Sequence, residues 1–383
     1  QVYKKRWYML FMFSAFAGIQ ALVWIFWGPI AATTEHAFGW KDSDIAFFNN
    51  WGPITFIPMA LPLAWLTDRK GLRPTVITGM VLVTVGSGIK CITTNPDYIL
   101  WITHIGQALN GMAGPIAMGT TTTVSAVWFP PDQRATATSI MYSSQSFLIA
   151  ISFILGKGYS PLGFSRLKST FLLVDICILV FGICGVILIT MVLHFPSKPK
   201  HPPSNSASKI RLDYIAGMKQ LIRNRQFWLV ALIYGTSTGT RDAWSSMLDV
   251  NFKAHHVSQV QVGWIGFVSA MAAVISTIII ARFADIYKRK MKLFLIFLFI
   301  STTVMYVWLV LTLLDILTFN TKSLFASNVL ASLLNGATSP IFYELCCEIT
   351  YPVDECITSV ILTLPSSIAS LISLGTILRT EDW

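Results

Sequence analysis

Eleven stretches of about twenty predominantly apolar residues follow one another along the chain, at 7–30, 46–67, 74–94, 98–127, 135–156, 170–194, 227–250, 261–284, 291–315, 323–347 and 357–378. Each is long enough to cross a hydrocarbon layer of ~30 Å as a helix. Helices are expected because lipid offers a backbone N–H or C=O no partner. Composition agrees: 54% of the 383 residues are hydrophobic and 12% charged, with mean hydropathy +0.62. Soluble domains carry about 25% charged residues, so a soluble enzyme and a disordered chain are both excluded. The six Cys show neither a disulfide framework nor metal-ligand spacing. Neither a phosphate-binding glycine loop nor a Ser-His-Asp grouping is found. No cofactor and no enzymatic activity are therefore expected.

The net charge of +10 would suggest nucleic acid in a soluble protein. Here the basic residues sit in short connections between apolar runs, which reads as topology and not as nucleic-acid binding. Lys4, Lys5 and Arg6, then Arg69, Lys70 and Arg73, Arg134, the 195–226 segment and the 282–292 connection all fall on one side if the N-terminus is inside. The excess of Lys and Arg there predicts an N-terminus in the cytoplasm. The first run is longer than a signal-peptide core of ~7–15 residues, so it is read as a retained helix.

Residues 195–226 are rich in Pro, Ser and basic side chains and read as a cytoplasmic linker, with a short surface helix at 210–224. They divide a bundle at 1–194 from another at 227–383. The halves echo each other. Leu109-Asn110-Gly111 with Pro115-Ile116 recurs as Leu334-Asn335-Gly336 with Pro340-Ile341. Phe129-Pro130 with Asp132 recurs as Tyr351-Pro352 with Asp354, and Ala64 with Asp68 as Ala281 with Asp285. Duplicated bundles of this kind suit a transporter that rocks around a site at the bilayer midplane. Six spans precede the linker and five follow it, so a twelfth helix is expected to be missing, by truncation or alternative splicing.

Asp68-Arg69-Lys70-Gly71-Leu72-Arg73 resembles the loop motif of the major facilitator superfamily. Arg6-Trp7, Trp24 to Pro29, Trp51-Gly52-Pro53-Ile54, Gly106-Gln107-Ala108-Leu109, Trp128-Phe129-Pro130 and Glu348-Ile349-Thr350-Tyr351-Pro352 resemble solute carrier family 49 within it. The resemblance implies an all-α fold of two pseudo-symmetric six-helix bundles. One branch of that family is associated with choline, ethanolamine and haem. The other, which Val23–Pro29 and Trp51–Pro58 resemble more, is associated with lysosomal membranes and proton-driven pyridoxine export.

Candidate residues follow from polar or charged positions within the spans. Trp24 resembles the first-span tryptophan that relatives place against substrate, and an indole face holds a ring or a cation by ~0.5–2 kcal/mol. Trp27 and Trp51 lie toward the outer ends, where aromatic belts are also expected. Gln145, with Tyr142 one turn away, should face the interior, to bind substrate or to tie helices together. Gln107 is a further polar candidate, while Asn110 and Asn335 read as helix-packing groups. Glu344 and Glu348 share a face of the tenth span. Glu344, deeper, is a proton carrier or a fixed ion-pair partner, and Glu348 is a gate group or simply solvated. Arg241 and Asp242 sit inside the seventh span, where charge costs about 2.5–3.5 kcal/mol. Asp242 is a second proton-coupling candidate. His104 is a third, titrating in the lysosomal range, or a core histidine. Asp68, Arg69, Arg73 and Asp285 are gating candidates for a latch made in one state and broken in another. Lys90 is expected to snorkel to the interface.

The expected function is secondary transport of a small organic solute by a monomer in the bilayer, with protons as the coupling partner. The leading expectation is pyridoxine export from the lysosome, and a facilitative choline or ethanolamine (or haem) carrier is the alternative, at the plasma membrane. A non-transporting receptor or scaffold is the rival class.

Overall fold

The computed structural model describes residues 4–158, 166–199, 212–253, 255, 257–286, 291–314, 316–318 and 320–380. Among them all regular structure is helical. The first half contributes α1 (Lys5–Ile25), α2 (Ala31–Phe38), α3 (Asp42–Lys70), α4 (Leu72–Ile89), α5 (Pro96–Met112), α6 (Gly114–Trp128), α7 (Arg134–Gly158) and α8 (Arg166–His194). After a surface helix α9 (Tyr214–Arg223) come α10 (Arg225–Ser246), α11 (Leu248–Lys253), α12 (Gln259–Ile286), α13 (Met291–Leu313), α14 (Thr321–Gly336), α15 (Thr338–Thr350) and α16 (Glu355–Thr380).

Seven of these, α1, α4, α7, α8, α12, α13 and α16, are long and apolar enough to cross a membrane, counted over the described residues. The other expected spans are helical too, but polar or interrupted. The span at 98–127 breaks at Ala113 into α5 and α6, and that at 323–347 breaks at Ala337 into α14 and α15. Both breaks fall in the repeated Leu-Asn-Gly…Pro-Ile motif. Pro115 and Pro340 bring no N–H, so the preceding carbonyls lose their intrahelical donors. At the second break a substitute is at hand: the Gly336 carbonyl, four residues before Pro340, accepts from Thr277 Oγ1 at 2.8 Å.

α8 and α13 expose large apolar side chains such as Phe171, Leu179, Val186, Phe297 and Ile300. A helix that is apolar all round and still exposed is a lipid-facing one. The less apolar helices are drawn inward. α7 packs along α12, while α3 and α6 pack on α16.

The two halves meet at both ends. We call the end carrying Lys4–Arg6, Arg69 and α9 the basic end, and the opposite one the far end. At the basic end, Thr122 Oγ1 and Ser359 Oγ share a hydrogen bond of 2.7 Å, and Thr122 also donates to the Glu355 carbonyl at 3.2 Å. A Cβ on Gly119 would overlap Val360, so the contact requires glycine. At the far end, Asn49 Nδ2 donates to the Ser246 carbonyl at 3.3 Å and Gln259 Nε2 to the Pro29 carbonyl at 3.0 Å. A Cβ on Gly28 would overlap the Ser246 carbonyl oxygen. Each seal thus rests on a glycine that lets one half approach the other.

Candidate functional site

Between the seals lies a partly enclosed cavity of ≈ 160 Å³. Its lining comes from both halves: Trp24 from α1, Tyr142 and Gln145 from α7, Tyr234 and Asp242 from α10, Tyr306 from α13. Arg241 and Asp242 are the only charged side chains among the described lining residues. They neutralise each other: Arg241 Nη2 donates to Asp242 Oδ1 at 2.8 Å and Nε to the same oxygen at 3.1 Å. Arg241 Nη1 reaches Asn335 Oδ1 at 3.2 Å, just before the α14/α15 break. A guanidinium survives inside a membrane protein only when its donors are taken up in this way.

Trp24 is held from two sides. Its indole Nε1 donates to the Asn49 carbonyl at 2.9 Å, and its own carbonyl accepts from Gln107 Nε2 at 3.2 Å. Tyr142 packs on Tyr343 with ring centroids 5.2 Å apart, forming the floor toward the basic end. Among the buried donors at the cavity, Gln145 Nε2 and Trp244 Nε1 find no acceptor among the described residues. Buried donors are nearly always satisfied, so these are the natural contacts for a bound molecule.

Of the sequence candidates, Trp24, Tyr142, Gln145 and Asp242 are brought together here. Others go elsewhere, for identifiable reasons. Trp27 is 3% exposed and packs on Phe26, Trp40 and Phe48, away from the cavity. Gln107 lies behind the wall, accepting from Lys90 Nζ at 2.6 Å. Lys90 does not snorkel: it is 7% exposed, because this amide oxygen gives the ammonium a partner inside the bundle. His104 sits in an aromatic surround of Phe47, Phe48, Trp51 and Trp101 beside a separate far-end groove. Its Nδ1 accepts from Trp51 Nε1 at 2.9 Å, so the unprotonated nitrogen is already engaged.

Glu344 accepts from Thr138 Oγ1 at 3.3 Å, outside the cavity and across the basic-end seal. Glu348 is exposed. Arg73 donates to the Val192 carbonyl at 2.8 Å and so ties α4 to α8 within one half. Arg69 lies 4.0 Å from Asp68 and 3.7 Å from Asp213, so it joins α3 to the segment that leads into α9. The side chain of Asp285 lies outside the described residues. Asp68, beyond the apolar run of its helix, has its carboxyl pushed above the usual range. Burial is the largest cause, followed by the Asp354 and Asp213 carboxylates, with Arg69 opposing.

Tyr234 and Tyr306 were not singled out in the sequence. Tyr234 had a signal: with Thr238 and Arg241 it forms a polar stripe at helical spacing along α10. Tyr306, alone in the strongly apolar α13, had none.

A family model described as Major Facilitator Superfamily matches residues 7–355. The solute carrier family 49 member 4 homolog of Xenopus laevis is 35% identical over 96% of this chain and 84% of its own. The choline/ethanolamine transporter FLVCR2 of Homo sapiens is 26% identical over 97% of this chain and 71% of its own. Among solved structures, the E. coli fucose:proton symporter FucP superposes with a TM-score of 0.67 at 13% identity, covering 97% of this chain and 92% of the other. A bacterial homolog of the human lysosomal transporter Spinster, inward-facing and occupied, gives 0.65 at 14% identity, covering 100% and 85%.

Proposed function

This chain belongs to the Major Facilitator Superfamily and, within it, to solute carrier family 49, a family of transporters and not of enzymes, and from that premise we propose that it is a secondary transporter moving one small organic solute per cycle. It is a multi-pass membrane protein; its N-terminus faces the cytoplasm in this reading, which the basic end supports. The observation that carries the proposal is the cavity between the repeated halves, with inter-half contacts at each end. Alternating access needs such a central chamber, and a receptor or scaffold does not.

The solute we propose is pyridoxine, exported from lysosomes with protons. Three features of the cavity support it. Aromatic faces from Trp24, Tyr142, Tyr234 and Tyr306 suit a flat ring. Gln145 Nε2 and Trp244 Nε1 offer free donors to hydroxyl or phenolate oxygens. The Arg241–Asp242 pair leaves the cavity without net charge, which favours a neutral or zwitterionic solute. The volume, well below the ~300 Å³ at which drug-sized pockets begin, sets the same scale. Asp242 is the proton acceptor in this reading, because it alone offers a carboxylate to the described cavity. Glu344 and Asp68 then act at the basic-end seal.

A second reading, facilitated transport of choline or ethanolamine, is supported by the likeness to the choline/ethanolamine transporter FLVCR2 and by the same aromatic walls, which attract an ammonium. Uptake into proteoliposomes with and without a pH gradient separates the two. Pyridoxine uptake that rises with the gradient is the expected result. Gradient-independent uptake of choline alone would replace it with the second reading, and uptake of neither would leave the receptor class.

A further inference from the structure

A buried cation outside the cavity is wired to the cavity wall and to the far-end seal. Lys90, at the end of α4, is 7% exposed, and among the described residues it makes no ion pair. Its neighbours are the Trp27 ring, 5.8 Å from Nζ, and the thiols of Cys91, Cys177 and Cys184. An ammonium taken out of water into such surroundings is costly unless it makes a strong hydrogen bond. Lys90 makes one, at 2.6 Å to Gln107 Oε1.

That bond fixes the sense of the Gln107 amide. An ammonium only donates, so the amide oxygen must face Lys90 and the amide N–H must face the other way. There it meets the Trp24 carbonyl at 3.2 Å, in the last turn of α1, where carbonyls lack an intrahelical donor. The Trp24 indole continues to the Asn49 carbonyl at 2.9 Å, and the Asn49 amide to the Ser246 carbonyl at 3.3 Å. Four hydrogen bonds thereby run from Lys90 through α5, α1 and α3 to α10, past the aromatic wall and across the seam between the halves.

We propose that Lys90 is a positioning residue for solute binding and for the far-end seal, acting through Gln107, Trp24 and Asn49. The solute part rests on reading the cavity as the transport site; the seal part does not. A Lys90→Met variant keeps the length of the side chain and removes the cation. The probe is pyridoxine binding to purified protein, read together with hydrogen–deuterium exchange. Expected are a roughly tenfold weaker Kd and faster exchange at residues 46–50 and 246–251, with residues 72–88 unchanged. Should Lys90→Met fold poorly, the double variant Lys90→Met/Gln107→Leu removes cation and amide together and leaves no orphaned polar group between them. It should be stable yet keep the weak Kd and the fast-exchanging seal.

The proposal is overturned if the double variant regains wild-type Kd and exchange, or if exchange changes only around Lys90 itself in α4 and α8. If the unmodified protein binds neither pyridoxine nor choline, it is the solute reading that fails. Exchange at the seal then still decides the role of Lys90.

Discussion

Arg241 and Asn335 are joined by a hydrogen bond of 3.2 Å that ties α10 to the break between α14 and α15. Gln20 and Asn110 stand in the corresponding places of the first half, with Asn110 Nδ2 donating to the Gln20 carbonyl at 3.2 Å. The same asparagine therefore anchors the first helix of each half to the kinked fourth. The partners differ: a neutral amide in one half, a guanidinium in the other.

That difference predicts unequal costs. Asn335→Leu removes an acceptor from a buried cation, a bond worth about 1.5–3 kcal/mol, whereas Asn110→Leu removes a neutral bond worth about 0.5–1.5 kcal/mol. Thermal unfolding in detergent should show the larger loss for Asn335→Leu. Equal losses would mean that Arg241 finds another acceptor at no cost.

Trp24→Ala should weaken pyridoxine binding by about twofold to thirtyfold, the range set by ~0.5–2 kcal/mol of ring stacking. Trp24→Phe should recover the stacking part of this and not the part that depends on the bond to Asn49. Isothermal titration of the two variants is the check, and equal affinities for Ala and Phe would remove Trp24 from the wall.

The glycines of the two seals should act in opposite directions. Gly119→Ala forces a Cβ onto Val360 and should bias the protein toward opening at the basic end. Gly28→Ala forces one onto the Ser246 carbonyl and should bias it toward opening at the far end. Overpacking costs about 1–3 kcal/mol, enough to shift the balance by roughly fivefold or more. Side-specific labelling of residues at each end by an impermeant reagent reports the direction.

The basic-end seal should tighten as pH falls. The Asp68 carboxyl is raised in the closed state by burial and by Asp354 and Asp213, so that state binds more protons than one in which the halves have parted. By linkage its population grows as pH drops toward the raised value and shrinks above it. Asp68→Asn should hold the seal and flatten this dependence. Labelling at the basic end across pH 4–7 tests it, and an unchanged slope in Asp68→Asn would assign the effect to another group.

Glu344→Gln should leave the pH dependence of transport in place, because the amide oxygen still accepts from Thr138 and the group lies outside the cavity. Asp242→Asn should abolish it and also leave Arg241 without its counter-ion. Initial uptake rates at several pH values in proteoliposomes distinguish the two.

The membrane character and the repeated motifs were legible in the sequence. Apolar length sets the first and recurring Leu-Asn-Gly with a following proline the second, but the breaks at Ala113 and Ala337 were not read from it, because each falls inside what scans as one apolar run. Half of the site was legible for the same reason, since polar groups such as Gln145 and Asp242 inside apolar runs must face something wet or each other. What the sequence did not reveal is which interior they face. Trp24 and Trp27 lie on neighbouring faces of one segment, yet one meets the cavity and the other the packing beneath Trp40. Gln107, His104 and Lys90 likewise point into the first half's own core, where they satisfy one another or an indole. Only the placement of neighbouring helices decides between these fates, and helical period carries no record of it. Tyr306 marks the opposite limit, a cavity group contributed by a helix whose pattern reads as lipid-facing throughout.

The narrowness of the chamber also acts as a gauge on cargo. In the proposed cycle the solute is held in a space of ≈ 160 Å³, so small molecules are favoured over large ones however widely either vestibule opens. A hydroxylated pyridine or a short amino alcohol passes that gauge.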